Sequence, residues 1–523
     1  MQGKKDYQEK LFTTFRLSEH VPPDNFYRRL KERLNLQFVR PLTKDFYGNC
    51  GQESIDPEVF FKLCLVGYLE NITSHRKLIE HCSMRLDILF FLGYDIGENL
   101  PWHSTISRTH QLFSEDVFES VFTQVLKQCI DSEMVSGHSQ VIDSAPVKAN
   151  ASMDSLELKV PEQDLKAHLA EVRHISNRDK DTYRKAKENK AHDEDKTISA
   201  SKAELKNVDS RQNKWSKDQN ERPGAGNKGS RYTSNKTHYS PVDPDARISV
   251  KPGKARKLNY TSQLAVDSSH HVITHIGAYH ADKKDNQDLI DVVKKTKIRL
   301  WREGLQIENI FADTGYSSGE NYAFLEQQGL TGYIPPHGTY KGGPDKFTYV
   351  KAKDHFICPQ GEEVPFKKIF LDYRTKTKKK EYRTSSLQCK GCPLASSCLG
   401  KTAKEKKFSV TYYREKYERT KERLNTKLGK QSKAIRQSRV EPVFGTLTQY
   451  LGLRKINVRG IKGASKCMLM AAVAYNLKKL LKFEKKPTKN RAKEVAFVRF
   501  VKSKLYDFMA SILSNPKIQI QYL

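Results

Sequence analysis

The sequence predicts an α/β core that follows an all-helical region and is interrupted by insertions. Residues 1–137 place apolar side chains at helical spacing, as in DPEVFFKLCLVGYLENI. After residue 137, short β-type runs alternate with amphipathic helices, which is the pattern of an α/β layer. Residues 156–236 and 337–410 differ in composition from the segments around them, which marks both as insertions.

These breaks divide the chain into a helical domain, a core in three pieces, two insertions and a tail. The segment 156–236 has almost no aliphatic residues, so it should be a solvated helical or disordered insertion. The predicted units are 1–137 (helical domain), 138–155 and 237–336 (first part of the core), 156–236 (charged insertion), 337–410 (Cys-rich insertion), 411–482 (last part of the core) and 483–523 (helical tail).

Within the core, the sequence predicts strands and helices in alternation. One short strand ends at Asp143, and a hairpin over KLNYTSQLAVDSSHHVITHIGAYHA turns at residues 267–270. An amphipathic helix follows and is closed by Gly304, and a second short strand ends at Asp313. Further helices cover REKYERTKERLNTKLGKQSKAIRQSRVEPVFGTLTQYLG and the apolar stretch SKCMLMAAVAYNLKKLLKF.

The charge balance predicts a polyanionic partner. The 523 residues include 92 Lys+Arg against 61 Asp+Glu, a formal net charge of +31. Such a surplus most often serves nucleic acid, and the alternative is a bias toward solubility. A membrane is not expected, because the longest apolar runs are too short to span a bilayer. The N-terminus lacks the apolar stretch of a signal peptide, which favours a cytoplasmic protein.

The helical region contains a candidate DNA-reading element. SHRKLIEHC begins at a plausible helix cap, Ser74, and LPWHSTISRTHQLF offers Ser104 and Thr105 before a helix that carries Arg108. A short helix, a turn and a capped helix with exposed Arg and His resemble a helix-turn-helix. An ordinary helical bundle with a basic surface explains the same residues equally well.

Two aspartates are candidates for metal chemistry. Asp143 and Asp313 each end a short apolar strand and precede small residues, and strand ends are where α/β sheets expose functional side chains. Carboxylate oxygens suit Mg²⁺, and two ions about 4 Å apart stabilise the attacking and leaving oxygens of a phosphoryl transfer. The commoner role of such an aspartate is to cap a turn or a helix.

Glu441 is the candidate third carboxylate. It lies on a predicted helix beside an apolar stripe formed by Val440, Val443 and Leu447, with Gly445 on the next turn. We expect Gly445 to permit close approach of a backbone or a metal ion. A solvated charge or an ion-pair partner is the more common role for such a glutamate.

The blocks VIDSAPVKANASM, FADTGYSSGENYAFL, SRVEPVFGTL, RKINVRGIKG and AVAYNLKKLL resemble the catalytic blocks of DDE-type bacterial insertion-sequence transposases. The segment IDPEVFFKLCLVGYLENITSHRKLIEHC with LPWHSTISRTH resembles their helical N-terminal domain, so the resemblance covers residues 20–485 in order. It implies a ribonuclease H-like core with Asp143, Asp313 and Glu441 as the catalytic triad. These residues would hold two Mg²⁺ or Mn²⁺ ions during cutting and joining of DNA.

The same resemblance implies the partners and the location of the protein. Its partners would be double-stranded DNA, both terminal inverted repeats and target DNA, with a homodimer forming on the DNA ends. Its location would be the bacterial cytoplasm, in association with the nucleoid. The candidate DNA-binding residues are Arg76, Lys77, Arg108, Lys148, Arg436, Arg439, Arg454, Lys455, Arg459 and Lys462.

The sequence departs from the signature of related cut-and-paste enzymes, which space Tyr, Arg, Glu and Lys around the last carboxylate. Ala434, Ser438 and Thr448 occupy the Tyr, Arg and Lys positions here, so we expect Arg436 and Arg439 to substitute. The contiguous residues 413–416 read Tyr-Arg-Glu-Lys but are adjacent, so they do not share one helical face.

Four of the nine cysteines cluster in the second insertion, in FICPQG and LQCKGCPLASSCLG. A Cys-x-x-Cys pair is a common half-site for Zn²⁺, so Cys358, Cys389, Cys392 and Cys398 are the candidate ligands of a structural zinc site. Free thiols are the alternative. The sequence between them reads as a basic hairpin.

The sequence therefore predicts a DNA transposase that cleaves and transfers strands. Two rival functions fit many of the same residues. One is another nuclease with a ribonuclease H-like core, and the other is a catalytically inactive, transposase-derived DNA-binding regulator.

Overall fold

The computed structural model describes residues 15–48, 54–161, 199–202, 234–249, 256–338, 340–373, 375–400 and 402–483. Its first part is entirely helical. The helices are α1 Leu17–His20, α2 Phe26–Arg33, α3 Val39–Thr43, α4 Pro57–Leu69, α5 His75–Ser83, α6 Leu86–Leu92, α7 His103–Leu112 and α8 Glu115–Asp131.

The remaining helices accompany two sheets. They are α9 Asp285–Arg302, α10 Gly319–Gln327, α11 Ser386–Cys389, α12 Ala395–Cys398, α13 Arg414–Leu424, α14 Lys427–Gln449 and α15 Ile461–Lys482. The strands are β1 Ser139–Lys148, β2 Glu157–Leu158, β3 Val160–Pro161, β4 Ser199–Ala200, β5 His238–Tyr239, β6 Arg247–Ser249, β7 Lys257–Asp267, β8 Ile273–His280, β9 Asn309–Phe311, β10 Thr331–Tyr333, β11 Thr348–Val350, β12 His355–Ile357, β13 Glu363–Asp372, β14 Thr377–Arg383 and β15 Lys407–Thr411.

The larger sheet has the order β10-β9-β1-β7, with β8 and β6 both paired to β7. β1, β9 and β10 run parallel, whereas β7 runs antiparallel to β1, β6 and β8. β7 is buried along almost its whole length although it carries polar side chains such as Gln263, because it lies in the middle of the sheet and is covered on both faces.

Helices cover this sheet and join it to the N-terminal region. α9 packs on β7 and β8, α14 packs on β1 and β9, and α15 packs on β8 as well as on α4 and α8. α15 is buried over almost its whole length, which explains why its sequence is apolar on every side. One continuous hydrophobic core therefore runs from Tyr27 to Leu481.

The smaller sheet is antiparallel, in the order β11-β12-β13-β14-β15. It buries its own small cluster of Phe356, Val364, Tyr382 and Val410. Two further strand pairs, β2 with β5 and β3 with β4, lie within or next to the segment 156–236.

Several predicted elements agree with the structure. The helical N-terminal region, the β7–β8 hairpin, the helix before Gly304, the basic β13–β14 hairpin and the buried helix α15 are all present. Most of the insertion 156–236 and nearly all of the tail 483–523 lie outside the described residues. Within the part of the chain that the structure describes, no helix has the length and apolarity that a membrane span needs.

Three local predictions differ from the structure. β1 continues to Lys148 instead of ending at Asp143, because it keeps pairing with β7. α7 begins after Trp102, so Ser104 and Thr105 lie inside its first turn instead of capping it. The two helices of the predicted helix-turn-helix, α5 and α7, are separated by α6 and by residues 93–102, whereas such a motif joins its helices by a turn of roughly three to four residues. The helix-turn-helix prediction therefore does not hold here.

Glu326 ties α10 to α13. Its carboxylate lies 2.6 Å from Lys416 Nζ, 2.8 Å from Arg419 Nη2 and 3.5 Å from Arg423 Nη2. Hydrogen bonds from Arg419 and Lys416 lower the pKa of Glu326 from 4.5 to about 2. Its ionised form therefore stabilises the fold above pH 4.5, and this contribution is lost as the pH falls toward 2.

We predict that Glu326→Gln lowers the free energy of unfolding at pH 7 by about 1–2 kcal/mol, since three cations lose their partner. Urea unfolding at pH 7 and pH 4 would measure this loss and its expected decrease at the lower pH. Glu320→Gln, an exposed change on the same helix, is the control and should have little effect. An equal loss of unfolding free energy in Glu326→Gln and Glu320→Gln would contradict the stabilising role assigned to Glu326.

Candidate active site on the larger sheet

Asp143 and Asp313 lie side by side because β1 and β9 are parallel and in register. Val141 is paired with Phe311, and each aspartate comes two residues later on its own chain segment. Asp143 is still within β1, whereas Asp313 follows the end of β9 and begins the turn Thr314–Tyr316. Asp313 also accepts a hydrogen bond of 2.8 Å from the Gly315 N–H, so it caps this turn as well.

The Asp143 side chain is half-buried, and its carboxyl holds its proton more tightly than usual. Burial is the main reason that its pKa rises from 3.8 to about 6; the charge of Asp313 acts in the same direction, whereas the Ser144 N–H and Arg436 oppose the rise. Arg436 Nη1 donates to Asp143 Oδ2 at 3.0 Å, and the Ser144 N–H donates to Oδ1 at 2.8 Å. Two neighbouring carboxyls of like charge favour a bound cation, which would relieve their repulsion.

Helix α14 supplies the basic side of the site. Thr426 begins the helix by accepting a hydrogen bond from the Gly429 N–H. Arg436 then reaches Asp143, and Arg439 Nη1 lies 2.7 Å from His271 Nε2 at the β7–β8 turn. Both arginines are half-buried, so α14 fixes two cations close to the start and middle of β1.

Glu441 lies on the same helix but on an exposed part of its surface. The apolar stripe predicted beside it is real, since Val440, Val443 and Leu447 are all buried. Gly445 has open space around it, since no atom of the described residues outside its own helix backbone lies within 4 Å of an added Cβ, so no other backbone segment approaches it there. The structure does not explain why a glycine occupies position 445 of α14.

A third acidic residue, which the sequence analysis did not single out, stands close to Asp313. Asp285 begins α9, and an added Cβ on Gly315 would lie 3.3 Å from Asp285 Oδ2 and 3.0 Å from Asp313 Oδ1. Gln263 Nε2 donates to Asp285 Oδ1 at 3.2 Å, and the buried Tyr316 hydroxyl donates to Gln263 Oε1 at 2.5 Å. Gln263 lies opposite Ser144 on β7, a position that only the strand register reveals.

The described residues contain no group of three or more His, Cys, Asp or Glu side chains arranged to hold a metal ion. The structure thus brings Asp143 and Asp313 together but does not gather Glu441 with them. The pair itself fits a hard cation such as Mg²⁺, which needs carboxylate oxygens and commonly takes one or two per ion.

The same finding leaves the zinc prediction without support. Cys358, Cys389, Cys392 and Cys398 are half-buried free thiols, and they do not form a common ligand set. Cys389 Sγ lies 3.2 Å from Thr384 Oγ1, and Cys358 Sγ accepts from the Gln360 N–H at 3.4 Å. Hydrogen bonds within the small sheet therefore account for these two sulfurs.

The candidate DNA-binding residues fall into two main groups. Arg76 and Lys77 on α5 and Arg108 on α7 are exposed, and Arg76 Nε lies 3.2 Å from His103 Nε2 of α7. The second group surrounds the end of β1 and the start of α15, where all members are exposed. It comprises Lys148, Arg454, Lys455, Arg459 and Lys462.

Two family models match the chain. One, described as a transposase domain (DUF772), matches residues 15–112 and so covers helices α1–α7. The other, described as a transposase DDE domain, matches residues 357–481 and covers Glu441 and the four clustered cysteines. Asp143 and Asp313 lie between the two matches. No curated protein sequence matches the chain.

Both matches place the protein among the transposases. More narrowly, the two matches support a DDE-type insertion-sequence transposase, as the resemblance of the sequence blocks predicted. The family assignment implies that the protein binds DNA and, in general, that it uses a divalent metal ion.

The raised pKa of Asp143 has a measurable effect on stability. Because the folded state binds this proton more tightly than the unfolded chain, stability falls as the pH rises from 3.8 to about 6. We predict that Asp143→Asn, which has no such charge, is more stable than the wild type at pH 8 by up to about 3 kcal/mol. The difference should disappear near pH 4.

Thermal or urea unfolding in EDTA, at several pH values, would measure this effect without interference from metal ions. Asp45→Asn changes an exposed aspartate and should leave the stability profile unchanged. If Asp143→Asn were less stable than the wild type at pH 8, the described environment of Asp143 would be incorrect.

Proposed function

We propose that this protein is a DNA transposase that binds terminal inverted repeats and catalyses metal-dependent strand cleavage and strand transfer. The observation that carries the proposal is the position of Asp143 beside Asp313, two residues beyond the paired Val141 and Phe311. The chain is strongly basic, at +31, and a cation site in such a surface suits a phosphodiester substrate.

We further propose that the larger sheet is a ribonuclease H-like core. Five of its strands have the order β10-β9-β1-β7-β8. Among these five, β7 alone runs against the others, and it is the second of them in chain order. This arrangement, with an acidic residue on β1 and another after β9, is what the transposase resemblance implies for such a core.

In the proposed mechanism, Asp143 and Asp313 hold the metal ions, and Glu441 contributes the third carboxylate when DNA is bound. Metal ions at this position would neutralise charge on the scissile phosphate and lower the pKa of the attacking water. Water would attack first, and the released DNA 3′-hydroxyl would then attack the target strand. In the second step one phosphodiester bond forms as another breaks, so the number of these bonds does not change during strand transfer.

The chain's own residues would set the geometry of this reaction. Arg436 balances the charge of Asp143 before substrate binds, and it would turn to a phosphate oxygen once a cation takes its place. Tyr316 and Gln263 hold Asp285 next to the Asp313 turn. Since these groups are already ordered, little reorganisation is needed when the phosphate arrives.

Glu441 is the member of the proposed triad that does not lie with the other two, so a substitution at Glu441 tests the proposed triad most directly. We predict that Glu441→Gln reduces Mg²⁺-dependent cleavage of terminal-repeat DNA by several orders of magnitude, because a ligand charge is lost. DNA binding should persist, since the neighbouring arginines remain. Asp143→Asn and Asp313→Asn should give similar losses, and the combined variants should show no added loss.

Glu422→Gln is the matched control, because Glu422 is exposed on α13 with no ion pair among the described residues. Glu415→Gln is a second control, although it breaks contacts to Lys351 and Arg419. Both should cleave nearly normally. Normal cleavage by Glu441→Gln, together with loss in Asp285→Asn, would move the third carboxylate from α14 to α9.

Arg108 tests recognition by the helical domain. It is exposed on α7, so we predict that Arg108→Ala weakens binding to terminal-repeat DNA more than binding to random duplex DNA. Competition binding with both duplexes would measure the ratio. Lys127→Ala, an exposed change on α8, is the control. Equal losses of affinity for both duplexes would show that Arg108 contacts only the phosphate backbone and does not read the repeat sequence.

The rival functions predict different results in the same assays. An inactive regulator would bind terminal-repeat DNA but would not cut it with Mg²⁺ or Mn²⁺. A simple nuclease would cut DNA without bringing two repeat ends together. We propose that two copies of the chain pair the ends, in the bacterial cytoplasm at the nucleoid, so end pairing by the purified protein separates these functions.

A further inference from the structure

A polar cavity lies between strand β8 and three helices, apart from the carboxylate pair. Its volume is about 180 Å³, residues 275–279 of β8 form its floor, and α8, α9 and α15 supply its walls. Neither Asp143 nor Asp313 lines it, and β7 separates β8 from β1. Since pockets for drug-sized ligands have roughly 300–1,000 Å³, only a molecule of a few atoms would fit here.

A glycine keeps the floor of this cavity open. His275, Gly277 and Tyr279 are spaced by two residues on β8, so they lie on the same face of the strand. A Cβ added to Gly277 would lie 3.4 Å from Tyr279 Cε2 and 3.7 Å from His275 Nε2, which are ordinary contacts. A methyl group would therefore fit at this position, and the glycine leaves its space to the cavity.

His275 presents an unpaired donor to that space. Its side chain is buried, at 4 % exposure, and Nε2 has no hydrogen-bond partner among the described residues. Arg299 Nη1, which can only donate, lies 3.3 Å from Nδ1. Burial, followed by the charges of Arg299 and Lys295, lowers the pKa of His275, so the ring is neutral and carries its hydrogen on Nε2. A buried N–H without an acceptor costs free energy, which an acceptor atom in the cavity would recover.

Charges of both signs line the walls. Glu115 and Glu119 lie one turn apart on α8, whereas Lys295 comes from α9 and Lys462 from α15. Glu119 and Lys295 already have ion-pair partners on α9. Within the described ranges, Glu115 and Lys462 take part in no ion pair. The cavity therefore offers one unpaired carboxylate on the α8 wall and one unpaired ammonium group on the α15 wall.

Hydrogen bonds between α15 and the edge of β8 form the cavity before any ligand binds. The buried Ser465 Oγ accepts from the Ala278 N–H at 3.2 Å, so the Ser465 hydroxyl hydrogen can donate to a ligand. Asn476 accepts from the Ile273 N–H and donates to the Ile273 carbonyl, both at 2.9 Å. Because these contacts fix the walls, a ligand would not have to order them, which favours binding.

The groups in the cavity define the chemistry of the ligand. A ligand with only a negative charge would be repelled by Glu115, and a ligand with only a positive charge would leave the His275 N–H and the Ser465 hydroxyl without an acceptor. A ligand that carries both charges satisfies all three groups. It must also be small, because the volume of the cavity is limited.

We propose that this cavity binds a small zwitterion that has one carboxylate and one ammonium group, of the size of a free α-amino acid. The carboxylate would accept from His275 Nε2 and Ser465 Oγ, and the ammonium group would pair with Glu115. This inference does not rest on the proposed function, since the site is separate from the carboxylate pair and needs no DNA.

The test measures binding of defined probes to the full-length protein without DNA, by calorimetry and by thermal unfolding. The probes are glycine and L-alanine. Acetate, methylammonium and acetamide, at equal ionic strength, carry only the negative charge, only the positive charge or only a neutral acceptor. We expect saturable, millimolar binding of a zwitterion, since so few atoms supply little binding energy. The other three compounds should bind at least roughly tenfold more weakly, because each lacks a charged contact.

Two variants test the assigned groups. Gly277→Ala should keep the wild-type melting temperature or exceed it, since the added methyl group fits, and should lose zwitterion binding because it fills the space beside His275 Nε2. Glu115→Gln should weaken zwitterion binding by roughly tenfold, because it removes the partner of the ammonium group. Asp116→Asn, an exposed change at the neighbouring position of α8, is the matched control and should bind like the wild type.

Three outcomes would overturn the proposal. No saturable binding of glycine or L-alanine, or equal binding of acetamide, would show that the cavity holds only water. Wild-type affinity in both Gly277→Ala and Glu115→Gln would place any bound zwitterion elsewhere. An equal loss of affinity in Asp116→Asn and Glu115→Gln would remove the role of Glu115. Because no DNA is present, a failure of the proposed function would leave these results unchanged.

Discussion

The parallel pairing of β1 with β9 is the constraint on which the carboxylate site depends. A shift of one residue would turn one aspartate to the opposite face of the sheet and leave the other alone. The buried Asp267 at the end of β7 holds β1 in place from the other side, because its carboxylate accepts hydrogen bonds from the Gly137 N–H and from Gln140 Nε2 at the start of β1. The chain thus uses one buried acid to place another where it is half-exposed.

The charges around the larger sheet are unevenly distributed, with acidic side chains in one place and cations around them. Acidic groups collect in the middle of β1 and just after β9, although the chain as a whole carries +31. Cations surround them on α14 and on the segment 454–459. Two like charges held close together cost free energy in the folded state, and proteins accept such costs where a ligand later relieves them. On such a surface the carboxylates attract a divalent cation, and the surrounding basic side chains attract the phosphate of DNA.

Much of this arrangement could be predicted from sequence, because strands and helices with strong periodicity carry their own signal. Asp143 and Asp313 were identifiable as acids that follow short apolar runs, and the stripe of Val440, Val443 and Leu447 marked the buried side of α14. Asp285 and Gln263 were not identifiable. Their significance depends on tertiary neighbours, since an acid in the first turn of a helix and a Gln within a strand are ordinary in isolation. The length of β1 was also missed, because pairing with β7 overrides the turn-like Ser-Ala-Pro that follows Asp143.

Helix α15 ties the two ends of the described chain into one folding unit. Its buried Lys466 donates to the His110 carbonyl at 3.0 Å, and its apolar faces pack on α4, α8 and β8. A gene copy truncated before α15 would encode a protein in which the apolar surfaces of α4 and α8 that pack on this helix are exposed to solvent. Such a fragment would aggregate or be degraded. Decay of the gene from its 3′ side would therefore not leave behind a stable DNA-binding competitor of the full-length protein.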